Sequence, residues 1–371
     1  MENKIKFVNY CDGDCLNRYD GTLDGDKLTV EFIISAPCAK ELFVCGNAAT
    51  KLSDGNFSAN VTLRGGRNDI RAKDSEGNET EIAIYHFPKH NEKHYRISSD
   101  DNILFLADIT RGNYKSVFDH PYLSVYKKAH DLYGAMVQIN LFYEYGEYGA
   151  SRFKNPPECF NLSMMTDKYK EEFRANSDWL KFAFHSKNET ERPYANADPE
   201  TILADEAAVR REVLRFAGEE CYSFSTTTTH YGSGTKECVK ALRNIGFKAL
   251  TGYFIIKGER PRVSYYLDKE RVEKVEGRDM WLDRETDMLM VRIDKVLNES
   301  SNELNLEYLD SLTRDPHRGG FISIMIHEQY FYPNYIKYIE NFEEIVLDAA
   351  KLLYERGYRS IHLPELLNTE F

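Results

Sequence analysis

This sequence lacks the features that would identify a membrane, secreted or nucleic-acid-binding protein. None of its 371 residues lies in an apolar run approaching the roughly 18 residues that a transmembrane helix needs. Residues 1–7 show no apolar segment of the kind found in signal peptides. No run of lysine and arginine stands out, and the formal charge is −12, so a surface for nucleic-acid phosphates is not evident. We expect a cytoplasmic protein that binds neither membranes nor nucleic acid; the sequence leaves its oligomeric state open.

The sequence also lacks the cysteine spacings that are typical of disulfide frameworks and zinc sites. The seven cysteines form an odd set without paired-knuckle spacing. Cys11 and Cys15 are close in sequence, but no second pair or nearby histidine completes a zinc site around them. We therefore expect reduced thiols, as in a cytoplasmic protein.

The residues that are present predict two domains. With 42% hydrophobic and 13% aromatic residues the chain is globular, and its length exceeds that of most single cores. Residues 1–98 contain short alternating runs separated by turn signals, which is typical of a small β-sandwich. The polar segment 88–100 is predicted to be a linker. Residues 99–371 are predicted to form the second domain.

In that second domain, short apolar runs alternate with helical patterns. Asp198 followed by Pro199 is a strong helix start, and Asn341 with Glu344 forms a capping-box pattern. The alternation predicts an α/β fold, a distorted (β/α) barrel of roughly seven or eight strands behind the all-β sandwich. The absence of a glycine-rich turn after the first strand weakens the dinucleotide-binding alternative.

Five segments end an apolar or β-branched run in an ionisable side chain, the position in which a parallel barrel places its catalytic groups. These side chains are Asp108, His185, His230, Asp294 and His327. We predict that residues 103–110 form the first barrel strand. Histidine and carboxylate suit a borderline metal such as zinc, and Glu189 would lie on the same side of a helical turn as His185.

Each candidate also has a structural interpretation. Asp108 could cap a helix or a turn. Asp294 could form a structural ion pair in the neighbourhood of Arg292 instead of orienting a histidine. The aromatic residues after His327, Tyr330 among them, could stack on sugar faces or could be core or lid packing.

The order of these residues resembles the polysaccharide deacetylase family, metal-dependent carbohydrate esterases with a distorted (β/α) barrel. The family motif Thr-Phe-Asp-Asp-Gly corresponds to residues 106–110, with one aspartate instead of two. Its His-Ser/Thr-x-x-His motif corresponds to residues 185–189, where glutamate replaces the second histidine. Its Arg-x-Pro-Tyr-Gly motif corresponds to residues 229–232, and its Leu-x-x-His motif to residues 324–327.

The resemblance implies a metal-dependent hydrolase, a deacetylase of an N- or O-acylated carbohydrate, with zinc as the expected divalent metal. The expected metal ligands are Asp108, His185 and Glu189. The expected catalytic residues are His327, His230 and Asp294. The residues expected to contact the carbohydrate substrate are Tyr231, Glu144, Glu328 and Tyr330.

Two other functions stay open. A metal-independent glycoside hydrolase would use two carboxylates at strand ends, Asp108 with Glu144, Asp294 or Glu328. A catalytically silent carbohydrate-binding protein would use the N-terminal domain and the aromatic residues around Tyr330. The family uses one aspartate as a metal ligand and the other as a base, so a single aspartate also permits an altered substrate or lost catalysis.

Overall fold

The computed structural model describes residues 5–145 and 147–367. Its N-terminal part is built of short strands. These are β1 (Lys6–Phe7), β2 (Cys15–Leu16), β3 (Gly21–Asp24), β4 (Lys27–Ser35), β5 (Leu42–Val44), β6 (Asn47–Ala48), β7 (Thr50–Lys51), β8 (Phe57–Leu63), β9 (Gly66–Asp74) and β10 (Glu79–His86).

These strands form two sheets that share one core. One sheet has the order β1-β4-β8-β7 with β3 beside β4, and the other has the order β2-β10-β9-β5-β6. In β4, Leu28, Val30 and Phe32 are buried while the residues between them are exposed or half-buried, as the two-residue period of a strand requires. Apolar residues of both sheets belong to a single cluster.

The remaining strands belong to two mainly parallel sheets, one of which has an antiparallel strand at its edge, and to a two-stranded hairpin. They are β11 (His94–Asn102), β12 (Val137–Phe142), β13 (Leu180–Ser186), β14 (Thr226–Thr227), β15 (Ala249–Gly252), β16 (Ile256–Lys257), β17 (Arg260–Pro261), β18 (Met280–Asp283), β19 (Met288–Arg292), β20 (Lys295–Val296), β21 (Phe321–His327) and β22 (Arg359–Ser360). The helices are α1 (Leu104–Arg111), α2 (Pro121–Tyr133), α3 (Glu147–Ala150), α4 (Lys170–Ala175), α5 (Pro199–Phe216), α6 (Lys236–Asn244), α7 (Lys269–Glu276), α8 (Asn302–Leu312), α9 (Phe342–Glu355) and α10 (Leu363–Leu366).

Two sheets carry most of the parallel strands. The larger has the order β13-β12-β11-β21-β20 with β22 beside β11, and the smaller has the order β14-β15-β19-β18. Backbone contacts link their edges, because Phe182 forms a bridge with Tyr222 and the Asp294 N–H donates to the Ser323 carbonyl (2.7 Å). The chain is therefore a mixed α/β protein in which helices separate successive parallel strands.

The first strand of the larger sheet is β11, so the prediction of a strand over residues 103–110 is wrong. That run is helix α1, and eight mostly apolar residues fit a buried helix as well as a buried strand. Most of β11 lies in the predicted linker 88–100, and the predicted boundary at residue 98 falls inside it. Its alternate residues Arg96, Ser98 and Asp100 are polar although they are buried.

The helix starts were easier to predict. Helix α5 begins where expected, and the Asp198 side chain accepts a hydrogen bond from the Thr201 N–H. Helix α9 also begins after Asn341, although no side-chain capping bond forms there. No helix in the described part of the chain is long and apolar enough to cross a bilayer.

The two parts of the chain meet in a further apolar cluster. It combines residues of β2 and β10 with residues of β18, β19 and β21. Beside it, the buried ring of His90 lies 2.8 Å from the buried carboxylate of Asp279. The N-terminal sheets therefore pack directly against the parallel sheets.

Glu328 ties the ends of two neighbouring strands together. It follows β21 directly and is 0% exposed. Its carboxylate accepts hydrogen bonds from three successive backbone N–H groups, those of Ile103 (2.7 Å), Leu104 (2.9 Å) and Phe105 (2.6 Å). These groups are the first donors of α1, where a carboxylate is favourable. Burial raises the pKa of Glu328 to about 8, against the three hydrogen bonds, which lower it.

We expect Glu328→Ala to lower the free energy of unfolding by roughly 3 kcal/mol, because three buried N–H donors each lose about 1 kcal/mol or more. Urea unfolding followed by circular dichroism measures the change. Glu355→Ala, at the exposed end of α9, is the matched control and is expected to stay within about 0.5 kcal/mol of the parent. An equal effect of both substitutions would contradict this role of Glu328.

Candidate metal centre

The site begins with two consecutive aspartates near the end of β11. Successive strand residues normally face opposite sides of a sheet, yet Asp100 and Asp101 both line the same cavity. The reason is the backbone of Asp101, whose φ of +63° lies in the left-handed region. The pairing of β11 with β12 shifts register at the same place, between Ser99 and Asn102. Such local strain is common at functional sites.

Three buried side chains bring one potential metal-binding atom each to a common point. Asp101 Oδ1 lies 3.0 Å from His185 Nε2 and 3.0 Å from His230 Nδ1. The two ring nitrogens lie 3.1 Å apart. Ligands about 2.1 Å from one ion are about 3.0 Å apart at right angles to each other and about 3.4 Å apart in the tetrahedral arrangement that zinc prefers. The three residues therefore fit a single divalent cation.

Hydrogen bonds from outside the group orient two of the three side chains toward the common point. His185 Nδ1 donates to the Thr228 carbonyl (2.5 Å), which leaves the lone pair of a neutral ring at Nε2. Gln329 Nε2 donates to Asp101 Oδ2 (2.7 Å) and leaves Oδ1 for the centre. His230 Nε2 is buried and has no hydrogen-bond partner among the described residues.

The charges of the site depend on one another. Burial alone would raise the pKa of Asp101, but the neighbouring imidazoles, that of His230 first, hold it well below its usual range. Burial lowers the pKa of His230. For His185 the effect of burial is outweighed by its hydrogen bond to Asp101, so its pKa is raised. A carboxylate facing two imidazoles is the donor set that zinc prefers.

Two further groups face the same cavity without belonging to the three. Asp100 accepts a hydrogen bond from Asn140 Nδ2 (2.6 Å). His327, the cross-strand partner of Asp100, lies with its Nε2 3.9 Å from Asp101 Oδ2. The Nδ1 of His327 is 2.9 Å from Asn298 Oδ1, an acceptor, so Nδ1 carries the proton and Nε2 faces the centre. The site thus has a second carboxylate and a third imidazole.

The cavity has a volume of about 540 Å³ and extends beyond these residues. Among the predicted substrate-binding residues, Tyr231 and Tyr330 line it. Tyr231 is 40% exposed and has a φ of +57°, and its ring contacts that of His230. His185, His230 and His327 therefore line one cavity, with two tyrosines beside them.

Two predicted metal ligands lie outside the group of three. Asp108 is in α1, where its Oδ2 accepts from the Tyr332 hydroxyl (2.9 Å) and lies 3.4 Å from His120 Nε2. It lines a different cavity of about 210 Å³. Glu189 is buried and pairs with Arg152 (3.0 Å), and burial raises its pKa to about 8. In the group of three, the residues beside His185 are Asp101 and His230.

Three other predicted residues have structural contacts and do not line the cavity. Asp294, predicted to be catalytic, is buried, accepts from the Ser323 N–H (2.8 Å) and lies 3.5 Å from the guanidinium of Arg292. Glu144, predicted to bind substrate, accepts from Asn188 Nδ2 (3.3 Å). Glu328, predicted to bind substrate, holds the start of α1 and has no exposed surface.

Asp100, Asp101 and Asn298 were not among the residues predicted from the sequence. Asp100 fell at the end of the predicted linker and Asp101 directly after it, because β11 has polar residues on its inner side. A signal was present, because Ser98-Ser-Asp-Asp-Asn102 contains the two adjacent aspartates that the family motif has and residues 106–110 lack. Asn298 carries no comparable signal, since only the folded chain brings it to His327.

No family model matches the chain, and no curated protein matches it in sequence. Solved structures with a partial likeness include the 4-alpha-glucanotransferase from Thermococcus litoralis, at 14% identity and a TM-score of 0.46 over 75% of this chain and 41% of that chain. A CE4 esterase from Streptococcus mutans has 9% identity and a TM-score of 0.39 over 74% of this chain and 88% of that one. The carbohydrate deacetylase Agd3 has 9% identity and a TM-score of 0.43 over 93% and 71%.

The chain thus spans about two fifths of the glucanotransferase. All three likenesses lie below a TM-score of 0.5. Any function for this protein therefore has to rest on its own side chains.

The buried carboxyl of Asp294 predicts a dependence of stability on pH. Burial raises its pKa to about 7, against the nearby Arg292 and the Ser323 N–H, which lower it. Between about pH 4 and pH 7 the folded chain keeps a proton that the unfolded chain has released, so stability falls as pH rises through this window. We expect the free energy of unfolding of the parent, relative to Asp294→Asn, to decrease across it.

Urea unfolding of both proteins at intervals from pH 4 to pH 8 measures the difference. Asp167→Asn, at an exposed aspartate, is the matched control and should track the parent. A difference that stays constant across the window would show that Arg292 keeps Asp294 ionised throughout.

Proposed function

We propose that the protein is a metal-dependent hydrolase that removes an acyl group from a carbohydrate. The observation that carries the proposal is the meeting of Asp101, His185 and His230 at distances of 3.0–3.1 Å beside a second carboxylate, Asp100, in one cavity. A metal ligand set with a separate carboxylate next to it is the combination that activating water requires. Zinc is the ion that we propose for it.

When bound, a divalent ion at these ligands supplies Lewis acidity, which polarises an acyl carbonyl and makes water a stronger nucleophile. Asp100 accepts the proton of the attacking water as the new carbon–oxygen bond forms. His327 Nε2 donates a proton to the leaving oxygen or nitrogen as the bond to the acyl carbon breaks. Asn298 holds the His327 ring so that Nε2 faces the centre.

This assignment strengthens the resemblance to the polysaccharide deacetylases. The paired aspartates of the family motif are found at residues 100–101, and His185 begins the second motif. His230 then acts as the third ligand instead of residue 189. We further propose that the two parallel sheets form one interrupted (β/α) barrel, preceded by a separate N-terminal sandwich domain that ends before β11.

The structure offers less support for the two alternative functions. A metal-independent glycoside hydrolase would use two carboxylates from a set of four. None of the four lines the cavity of the centre; they are Asp108, Glu144, Asp294 and Glu328. A silent binding protein would have no need for Asp100 and His327 facing the three ligand atoms.

The ligand assignment predicts the metal content of variants. We expect the parent to retain about one ion per chain after dialysis, and Asp101→Ala and His185→Ala to retain less than about a tenth of that, because two ligands alone bind weakly. Elemental analysis by inductively coupled plasma mass spectrometry measures the content, and circular dichroism shows whether each variant is folded. Asp108→Ala is the matched control and should keep its metal. Stoichiometric metal in both ligand variants would refute the centre.

The role of Asp100 is separable from metal binding. We expect Asp100→Asn to keep its metal and to lose about 10²- to 10⁴-fold in kcat, because a general base contributes that much. Release of acetate from a panel of acetylated glycans measures the activity. Glu144→Gln, a carboxylate away from the cavity, is the control. Unchanged kcat in Asp100→Asn would exclude it as the base.

A further inference from the structure

The walls of the cavity have the opposite charge balance to the chain as a whole. The chain has 60 acidic and 48 basic residues. Apart from the residues of the candidate centre, the charged residues that line the cavity are Arg152, Arg192, Arg262, Lys337 and Glu299. Four cations therefore face one carboxylate. A concave surface of one charge attracts ligands of the other.

Two of the four cations already have partners within the protein. Arg152 pairs with Glu189 (3.0 Å), and Arg262 Nη1 donates to Glu299 (2.8 Å). The exposed side chains of Arg192 and Lys337 have neither an ion pair nor a hydrogen bond to any residue in the described ranges.

The loop that carries Arg192 is firmly anchored. Tyr194 is fully buried, and its hydroxyl donates to Asp205 (3.0 Å) and accepts from the Lys187 N–H (3.2 Å). The Ala195 N–H donates to the carbonyl of Arg192 in a tight turn (3.1 Å). Arg192 itself has a φ of +47°, a conformation that is costly for a residue with a side chain. The anchored and strained backbone here carries a guanidinium that has no partner among residues 5–145 and 147–367.

The row of cations continues past the centre. An adjoining cavity of about 310 Å³ is lined by Arg192 and Arg262 as well, and it adds Lys236 at the start of α6, which pairs with Glu285. Tyr231 also lines both cavities. The two cavities therefore adjoin along shared walls that include an aromatic ring, and together we call them the groove. Such a groove fits several units of an extended chain.

We propose that the glycan bound in this groove is anionic, with carboxylate or sulfate groups that Arg192 and Lys337 bind. The proposal rests on the proposed function in taking the ligand to be a carbohydrate. The planar guanidinium of Arg192 binds carboxylate or sulfate oxygens through two parallel hydrogen bonds, whereas Lys337 acts as a point charge. The polar rings of Tyr231 and Tyr330 contact the sugar faces between the anionic groups.

Calorimetric titration of the metal-replete protein tests this with three ligands of equal length: a galacturonate hexamer, a sulfated hexasaccharide and neutral cellohexaose. We expect at least one anionic ligand to bind about tenfold more tightly than cellohexaose, with a preference that shrinks as salt is added. Arg192→Ala and Lys337→Ala should each weaken anionic binding several-fold and leave cellohexaose binding unchanged. Comparison of the two anionic ligands distinguishes carboxylate from sulfate.

Arg64→Ala and Lys351→Ala remove exposed cations that do not line the groove, and they should bind like the parent. Equal affinity for anionic and neutral ligands, no binding of any ligand, or anionic binding that survives both groove substitutions would overturn the proposal. Anionic binding without acyl release from any acetylated glycan would refute the hydrolase and keep the anionic groove. Acyl release from neutral glycans with no anionic preference would support the hydrolase and refute the anionic groove.

Discussion

The carboxylate of Glu328 is the constraint on which the candidate centre depends. It binds the first three N–H groups of α1, and so it fixes the end of β11 against the end of β21. One residue before it stands His327, the cross-strand partner of Asp100. The chain passes from β11 to α1 across a single residue, Ile103, and Asp101 near the end of β11 has a left-handed backbone conformation. A buried interaction outside the cavity thus lies beside the strand ends that carry the side chains of the candidate centre.

Asp101 is in turn the centre of the polar cluster. Since His185 Nδ1 donates to a carbonyl, a neutral His185 presents a lone pair to Asp101 Oδ1 at 3.0 Å. Two acceptors at that distance repel each other unless a proton or a cation lies between them. Burial strengthens this requirement, because water cannot screen the charge. The geometry is therefore favourable when the site holds a positive charge, which either a protonated imidazole or a bound cation supplies.

The sequence predicted those elements whose signals are local. The capping aspartate and proline at the start of α5 are such a signal, and Asp198 forms the expected bond. His185, His230 and His327 were found because each follows a run of strand-forming residues. Strand β11 was missed because alternation of apolar and polar residues identifies a strand only when one face is apolar. Its inner residues, Arg96 among them, are polar, and the apolar run after it is helix α1.

The distribution of charge separates two tasks in the proposed site. Arg192 and Lys337 are exposed, so salt screens them over about 8 Å and their contribution to affinity is modest. They attract and orient an anionic chain, which the acidic surface elsewhere on the protein repels. Under the proposed function, the acyl group is positioned by the buried centre and by the half-buried ring of His327 with its partner Asn298. Selection of the chain would then depend on exposed cations, and the chemistry on less exposed groups that salt screens less.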